Sequence, residues 1–232
     1  MPLKFSFLYN LTKKIKLPAF FQKKQITTPT RFGWILVLFC IFTITILPIL
    51  KIHSFLAVSN PVNSKVLIVE GWVPDYCLEK AYRFYNIQPV NTIFITGGPL
   101  EQGSYLKEFK SFAALGAATL KKLGIPDSIL NEVPAPSVQK DRTYTSAMAL
   151  KTWLTLKNKQ YSSVNILTLG IHARRSGILF KKALGNSTDV GIISITDRDY
   201  NPDTWYTSSC GLKMVITELI SYLYTKASFS SQ

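Results

Sequence analysis

A run of 19 uncharged, mostly apolar residues, Phe32 to Leu50 (FGWILVLFCIFTITILPIL), lies between Arg31 and Lys51. As a helix rising ~1.5 Å per residue it would span roughly 28 Å, close to the hydrocarbon thickness of a bilayer. A buried core helix would carry a polar stripe, and this run offers only Thr43 and Thr45. Pro48 stands near one end and Trp34 near the other boundary, as membrane spans tolerate and favour. A transmembrane helix over 32–50 is the expectation. The competing reading is a signal peptide cleaved near Ala57-Val58-Ser59, with an unusually long basic leader.

The flanking charge predicts orientation. Residues 1–31 carry Lys4, Lys13, Lys14, Lys16, Lys23, Lys24 and Arg31 and no acid, half of the chain's formal +14. Lys51 is the only basic residue in the fourteen that follow the run. The positive-inside rule keeps the 1–31 tail cytoplasmic and exports the rest. Such a tail also attracts anionic membrane lipid. Nucleic acid is not an expected partner, because the charge is not interleaved with a recognition motif. Three cysteines without paired spacing suggest neither a disulfide scaffold nor a zinc site, and no metal is expected. A Cys77–Cys210 pairing is left open.

After a linker at 51–64, a pattern repeats through 65–226. Short continuous apolar runs read as strands buried on both faces: VLIV (66–69), TIFIT (92–96), 129–133, VNILTL (164–169) and 190–195. Helical spacing falls between or after them, at 75–86, 104–123, 143–156, 173–184 and 211–224. The last is amphipathic, with Val215, Leu219, Ile220 and Leu223 read as one face. The fold class predicted is α/β: a Rossmann-like, doubly wound, mostly parallel sheet of about five strands, preceded by one transmembrane helix.

In such sheets ligands bind beyond the carboxyl ends of the strands. The residues there include Glu70-Gly71-Trp72, Gly97-Gly98, Asp141-Arg142-Thr143 with Ser146, and His172 with Arg174 and Arg175. Arginine forks and free helix N–H groups suit phosphate or carboxylate. The glycines would let backbone approach a ligand. Ligand-binding candidates are therefore Gly71, Gly97, Gly98, Arg142, Thr143, Ser146, Arg174 and Arg175. Proton-handling candidates are Glu70, Asp141 and His172. Asp141 could equally cap a helix, and Glu70 could pair an arginine or be exposed. Adjacent Arg174 and Arg175 diverge by about 100°, so one of them is expected to face the cleft. Trp205 and Tyr206 are read as cover for the sheet rather than a lid. No GxGxxG, GxSxG or Walker motif occurs, and no cofactor is assigned.

Four pieces in order, TIFITGG (92–98), LGIP (123–126), DRTYTSA (141–147) and ILTLGIHARRS (166–176), resemble the bacterial YdcF/SanA/ElyC family. The His172–Arg175 spacing matches that family's hallmark. The chain departs from the pattern at Glu70-Gly71-Trp72, where the family has a glycine-rich strand end. It departs again at Asp141-Arg142-Thr143, where the family has an asparagine. The resemblance implies an inner-membrane protein with a periplasmic domain and a role in envelope or peptidoglycan-precursor metabolism. It also implies a possible lipid-linked phosphate or nucleotide-like ligand. Binding factor, hydrolase or transferase, and non-catalytic scaffold all stay open.

Overall fold

The computed structural model describes residues 27–101 and 108–229; most of the basic 1–31 tail lies outside them. By contacts the chain divides into two units, Met1–Thr45 and Ile46–Gln232. The apolar run forms helix α1, Arg31–Leu56, long and apolar enough to cross a membrane. A signal sequence passes the same test. The helix outlasts its hydropathy. Residues 51–56, expected as linker, continue it, because Leu56 is seated in a buried cluster with Ile171, Tyr200, Trp205 and Val215.

The second unit is a five-stranded, all-parallel sheet in the order β3-β2-β1-β4-β5. Its strands are β1 (Val66–Glu70), β2 (Thr92–Gly97), β3 (Leu130–Pro134), β4 (Ser163–Leu169) and β5 (Asp189–Ile195). The helices are α2 (Asp75–Ile87), α3 (Phe112–Lys122), α4 (Arg142–Leu156), α5 (Ala173–Leu184) and α6 (Ser209–Phe229). Alternate strand residues face opposite ways. Leu67, Val69, Ile93 and Ile95 pack with α2 and α3, whereas Val66, Ile68 and Phe94 pack with α4 and α5. The doubly wound expectation holds, with helices on both faces.

Two boundaries differ from expectation. The helix expected over 104–123 starts at Phe112, where Ser111 caps it by accepting a hydrogen bond from the Ala114 amide at 3.1 Å. Residues 104–107 of that expectation lie outside the described residues. Helix α6 runs beyond 224 to Phe229, and only part of its expected apolar face is buried. Val215 is fully covered, yet Ile220 and Leu223 are exposed. Trp205 is buried beneath this region as cover, not as a lid.

The order of strands creates the place for a site. From β1 the chain winds outward through β2 to β3, then returns to β4 on the other side of β1. The adjacent strands β1 and β4 therefore lead their following loops to opposite faces and leave a crevice beyond their carboxyl ends.

Candidate functional site

A cleft of about 800 Å³ opens at that crevice. This volume lies within the usual range for small-molecule sites. Glu70, Thr96, Gly98, Asp141, Thr143, Ser146, His172 and Arg175 are among its lining residues, and α6 contributes Ile220, Ser221, Tyr224 and Thr225.

Glu70 ends β1 and is only 2% exposed. It is neither a surface carboxylate nor the partner of an arginine. Its Oε2 accepts hydrogen bonds from Thr168 Oγ1 of β4 and, at 2.9 Å, from Ser176 Oγ of α5. Its Oε1 lies 3.9 Å from His172 Nε2. Two hydroxyl donors thus satisfy one oxygen and leave the other directed toward the imidazole.

His172 sits where β4 passes into α5, with its ring held on three sides. Trp72 packs edge-on against it, the ring centroids 5.0 Å apart. Nδ1 meets Arg175 Nη2 at 2.9 Å and Glu218 Oε2 at 3.3 Å. Nε2 meets Thr143 Oγ1 at 3.3 Å. Nδ1 is thus shared between a guanidinium, which only donates, and a carboxylate, which only accepts. With the ring proton on Nε2, Nδ1 accepts from Arg175 and an N–H faces Thr143 and Glu70. With the proton on Nδ1, the ring donates to Glu218 and Nε2 accepts from Thr143.

Glu218 is a candidate site residue that the sequence alone does not single out. It receives Arg175 Nε at 2.6 Å and Nη2 at 3.1 Å, a two-pronged pair with little solvent access. Its signal was available: it is the only acid on the 21-residue, largely apolar α6. Burial alone would raise its carboxyl. Hydrogen bonds from His172 and Arg175 outweigh that and hold it below its ordinary value of 4.5. A carboxyl depressed by folding stabilises the fold above its unfolded value and loses that contribution as pH falls through the folded one. The Glu218 contribution is therefore complete above about pH 4.5 and fades below it. Thermal unfolding of wild type and Glu218→Gln on both sides of that pH should show the smaller acid loss in the variant. Equal losses would remove Glu218 from the pH response.

The three arginines do not converge. Arg175 enters the cleft wall, held by Glu218. Arg174 turns away: its guanidinium lies 4.0 Å from the Phe55 ring and donates to the Phe55 carbonyl. It is not part of the cleft, because one residue of helix turns it about 100° from Arg175. Arg142 pairs with Glu101 at 2.8 Å on the exposed rim.

Gly71 is also absent from the cleft lining. A Cβ there would stand 2.4 Å from the Phe112 carbonyl oxygen, so the glycine lets α3 approach the end of β1. Gly97 lines the cleft but packs against the same residue; its Cβ would lie 2.7 Å from Phe112 Cβ. Gly98 alone has open space where a side chain would begin.

Asp141 does not cap α4 with its side chain. It adopts the left-handed conformation, φ 57°, immediately before the helix. That turn brings Thr143, in the first turn of α4, against His172. Thr96 contributes a buried hydroxyl with no hydrogen-bond partner among the described residues. Cys77 and Cys210 are both free thiols. Among the described residues no group of three or more His, Cys, Asp or Glu side chains is placed to hold a metal ion.

The arrangement can therefore bind and polarise an anionic group. The Thr143 hydroxyl, the Nε2 edge of His172 and the N-terminal end of α4 meet at this cleft, which the buried Glu70 carboxylate also lines. Set against known proteins, the chain matches no family model and no curated protein.

Proposed function

We propose that this chain is a single-pass membrane protein whose exported α/β domain binds a phosphate-bearing ligand in the β1–β4 cleft. The observation that carries the reading is the donor set at the head of α4. There the Nε2 edge of His172, an N–H donor when Nδ1 accepts from Arg175, meets Thr143 at 3.3 Å. Helix N-termini favour anions through their free N–H groups and dipole. The part expected of the arginines changes: Arg175 positions His172 instead of clamping the ligand. The membrane anchor rests on α1, and export rests on the basic flank. A role as an envelope or peptidoglycan-precursor factor rests on the YdcF/SanA/ElyC resemblance and its quoted motifs.

The test is binding of polyprenyl phosphates and nucleotides to the purified full chain in nanodiscs. Hydrogen bonds to a charged group contribute about 1.5–3 kcal/mol, so Thr143→Val and His172→Ala should each weaken binding about tenfold or more. Undiminished binding in both variants would move the ligand elsewhere.

A second reading, a hydrolase or transferase acting on a phosphorylated or nucleotide-like substrate, is favoured by Glu70. Its free oxygen lies 3.9 Å from the Nε2 edge of His172. On this reading Glu70 is the base and His172 the acid of a proton transfer. Turnover of a phosphorylated precursor that is lost in Glu70→Gln would favour this reading over binding alone.

A further inference from the structure

Helix α6 is apolar on two sides. Its inner side seats Val215 in the core and directs Glu218 at His172. Its outer side carries Leu212, Ile216, Ile220, Leu223 and Tyr224, spaced to form one stripe, all exposed. Ile220 is 61% and Leu223 56% exposed, values expected of polar surface residues rather than of isoleucine and leucine. Water is a poor environment for a contiguous apolar stripe of this length.

The exposed charges of the helix itself have one sign. Lys213 and Lys226 are exposed on α6, and the helix's only acid is turned inward. Arg174, Lys181, Lys182 and Lys226 line the neighbouring groove with Tyr222 and one acid, Asp189. An apolar face edged by lysine and arginine is the pattern of a helix lying in an anionic membrane interface.

The chain itself brings a membrane to this helix. The Phe55 ring meets Tyr222 of α6 edge-on at 5.3 Å between centroids, and Ile52 and Leu56 join the cluster around Val215. Phe55 follows Leu50, the last residue of the apolar run, by five positions. At ~1.5 Å per residue that is roughly 8 Å, the depth of a headgroup layer. The α6 contact therefore lies where the span would leave the hydrocarbon.

We infer that the outer face of α6 rests in the headgroup–acyl boundary of an anionic leaflet and forms a second membrane contact of the folded domain. This rests on reading α1 as a membrane span. Ile220 and Tyr224 also line the cleft. The rim of the site and the membrane-facing stripe thus share two side chains, and the cleft opens beside the lipid surface.

The test uses the full chain in nanodiscs of phosphatidylcholine and phosphatidylglycerol, with and without bromine on the acyl chains. Tryptophan reporters are introduced as Ile216→Trp and, separately, Leu223→Trp. Leu156→Trp, at an exposed position ending α4, is the control. Wild-type emission is subtracted. The α6 reporters should be blue-shifted and quenched by brominated lipid, and the control should not. Failure of the span and failure of the docking are separable through native Trp34. Quenching of wild-type emission with unquenched α6 reporters would overturn the docking alone. No quenching of wild type would overturn the span and the docking with it. Quenching of the control equal to that of α6 would overturn a specific α6 face. So would α6 reporters that are blue-shifted but unquenched, which would point to a second copy or a protein partner. Leu223→Trp guards against a local packing failure at Ile216, and each variant's thermal transition establishes that it is folded.

Discussion

Arg175→Met should destabilise the domain by about 3 kcal/mol, because it leaves the Glu218 carboxylate enclosed without its cation. The two side chains are 19% and 12% exposed, so solvent screens the pair weakly. For a domain of this size each kcal/mol moves the thermal midpoint by about 2–4 °C, so a drop of roughly 6–12 °C is expected. The double variant Arg175→Met/Glu218→Leu should recover most of that loss, since replacing both charges by apolar groups of similar size is often neutral. Ligand binding should not recover with it. In the double variant nothing orients the His172 ring through Nδ1, because both groups that meet that nitrogen are gone. Thermal unfolding and binding measured on the same three proteins decide the matter. A single variant as stable as wild type would show that the pair is not held as the structure places it. A double variant that binds normally would show that His172 needs no positioning.

Trp205→Ala should be the costliest truncation in the domain, about 3–5 kcal/mol, the range for emptying a buried aromatic site. Trp205 is 1% exposed and is the largest fully buried side chain. It shares a cluster with Leu56 from the end of α1 and Val215 from α6. Removing it takes the seat from both helices, and α6 carries Glu218 away from His172. The variant should therefore lose ligand binding as well as stability. Trp153→Ala is the comparison: it sits partly covered on α4, edge-on to Phe94 at 5.1 Å, and should cost less. Unfolding monitored by near-ultraviolet circular dichroism reads both variants. A Trp205→Ala transition within about 1 kcal/mol of wild type, the mean effect of an arbitrary substitution, would contradict the role given to this cluster.

What the sequence allowed and what it hid divide along physical lines. The strands were legible because a sheet covered on both faces needs unbroken apolar runs, and VLIV, TIFIT and NILTL are such runs. Their loops therefore pointed to one rim, and Glu70, Gly98, Asp141, Thr143, Ser146, His172 and Arg175 all line one cleft there. The end of α1 was illegible because hydropathy stops at Leu50, whereas the helix stops where Leu56 is packed. Arg174 and Arg175 could be separated by angle, but which of them faces inward depends on Phe55, 119 residues away. Gly71 resembled a ligand contact because glycine after a strand serves close approach of any kind. Here the approaching atom is the Phe112 carbonyl oxygen. Glu218 was passed over because helical periodicity weighs apolar positions and ignores a single acid among them.

The strand order also sets which pairings of the sheet can close early during synthesis and which must wait. β1 lies at the centre of the sheet but is the first strand made, and its partner β4 follows about a hundred residues later. The hydrogen bond between Glu70 and Ser176 spans 106 residues, and the one between Phe55 and Arg174 spans 119. During synthesis β1 can pair with β2 early, but its β4 edge and the seat of Leu56 must wait for the second half of the domain. Closing such distant pairings is slow, and the exposed strand is open to mispairing in the interval. The last helix to emerge, α6, both completes the seat of Leu56 and brings Glu218 to His172. The candidate site therefore cannot be complete before α6 has emerged, and a chain lacking α6 would hold its sheet residues without a finished cleft.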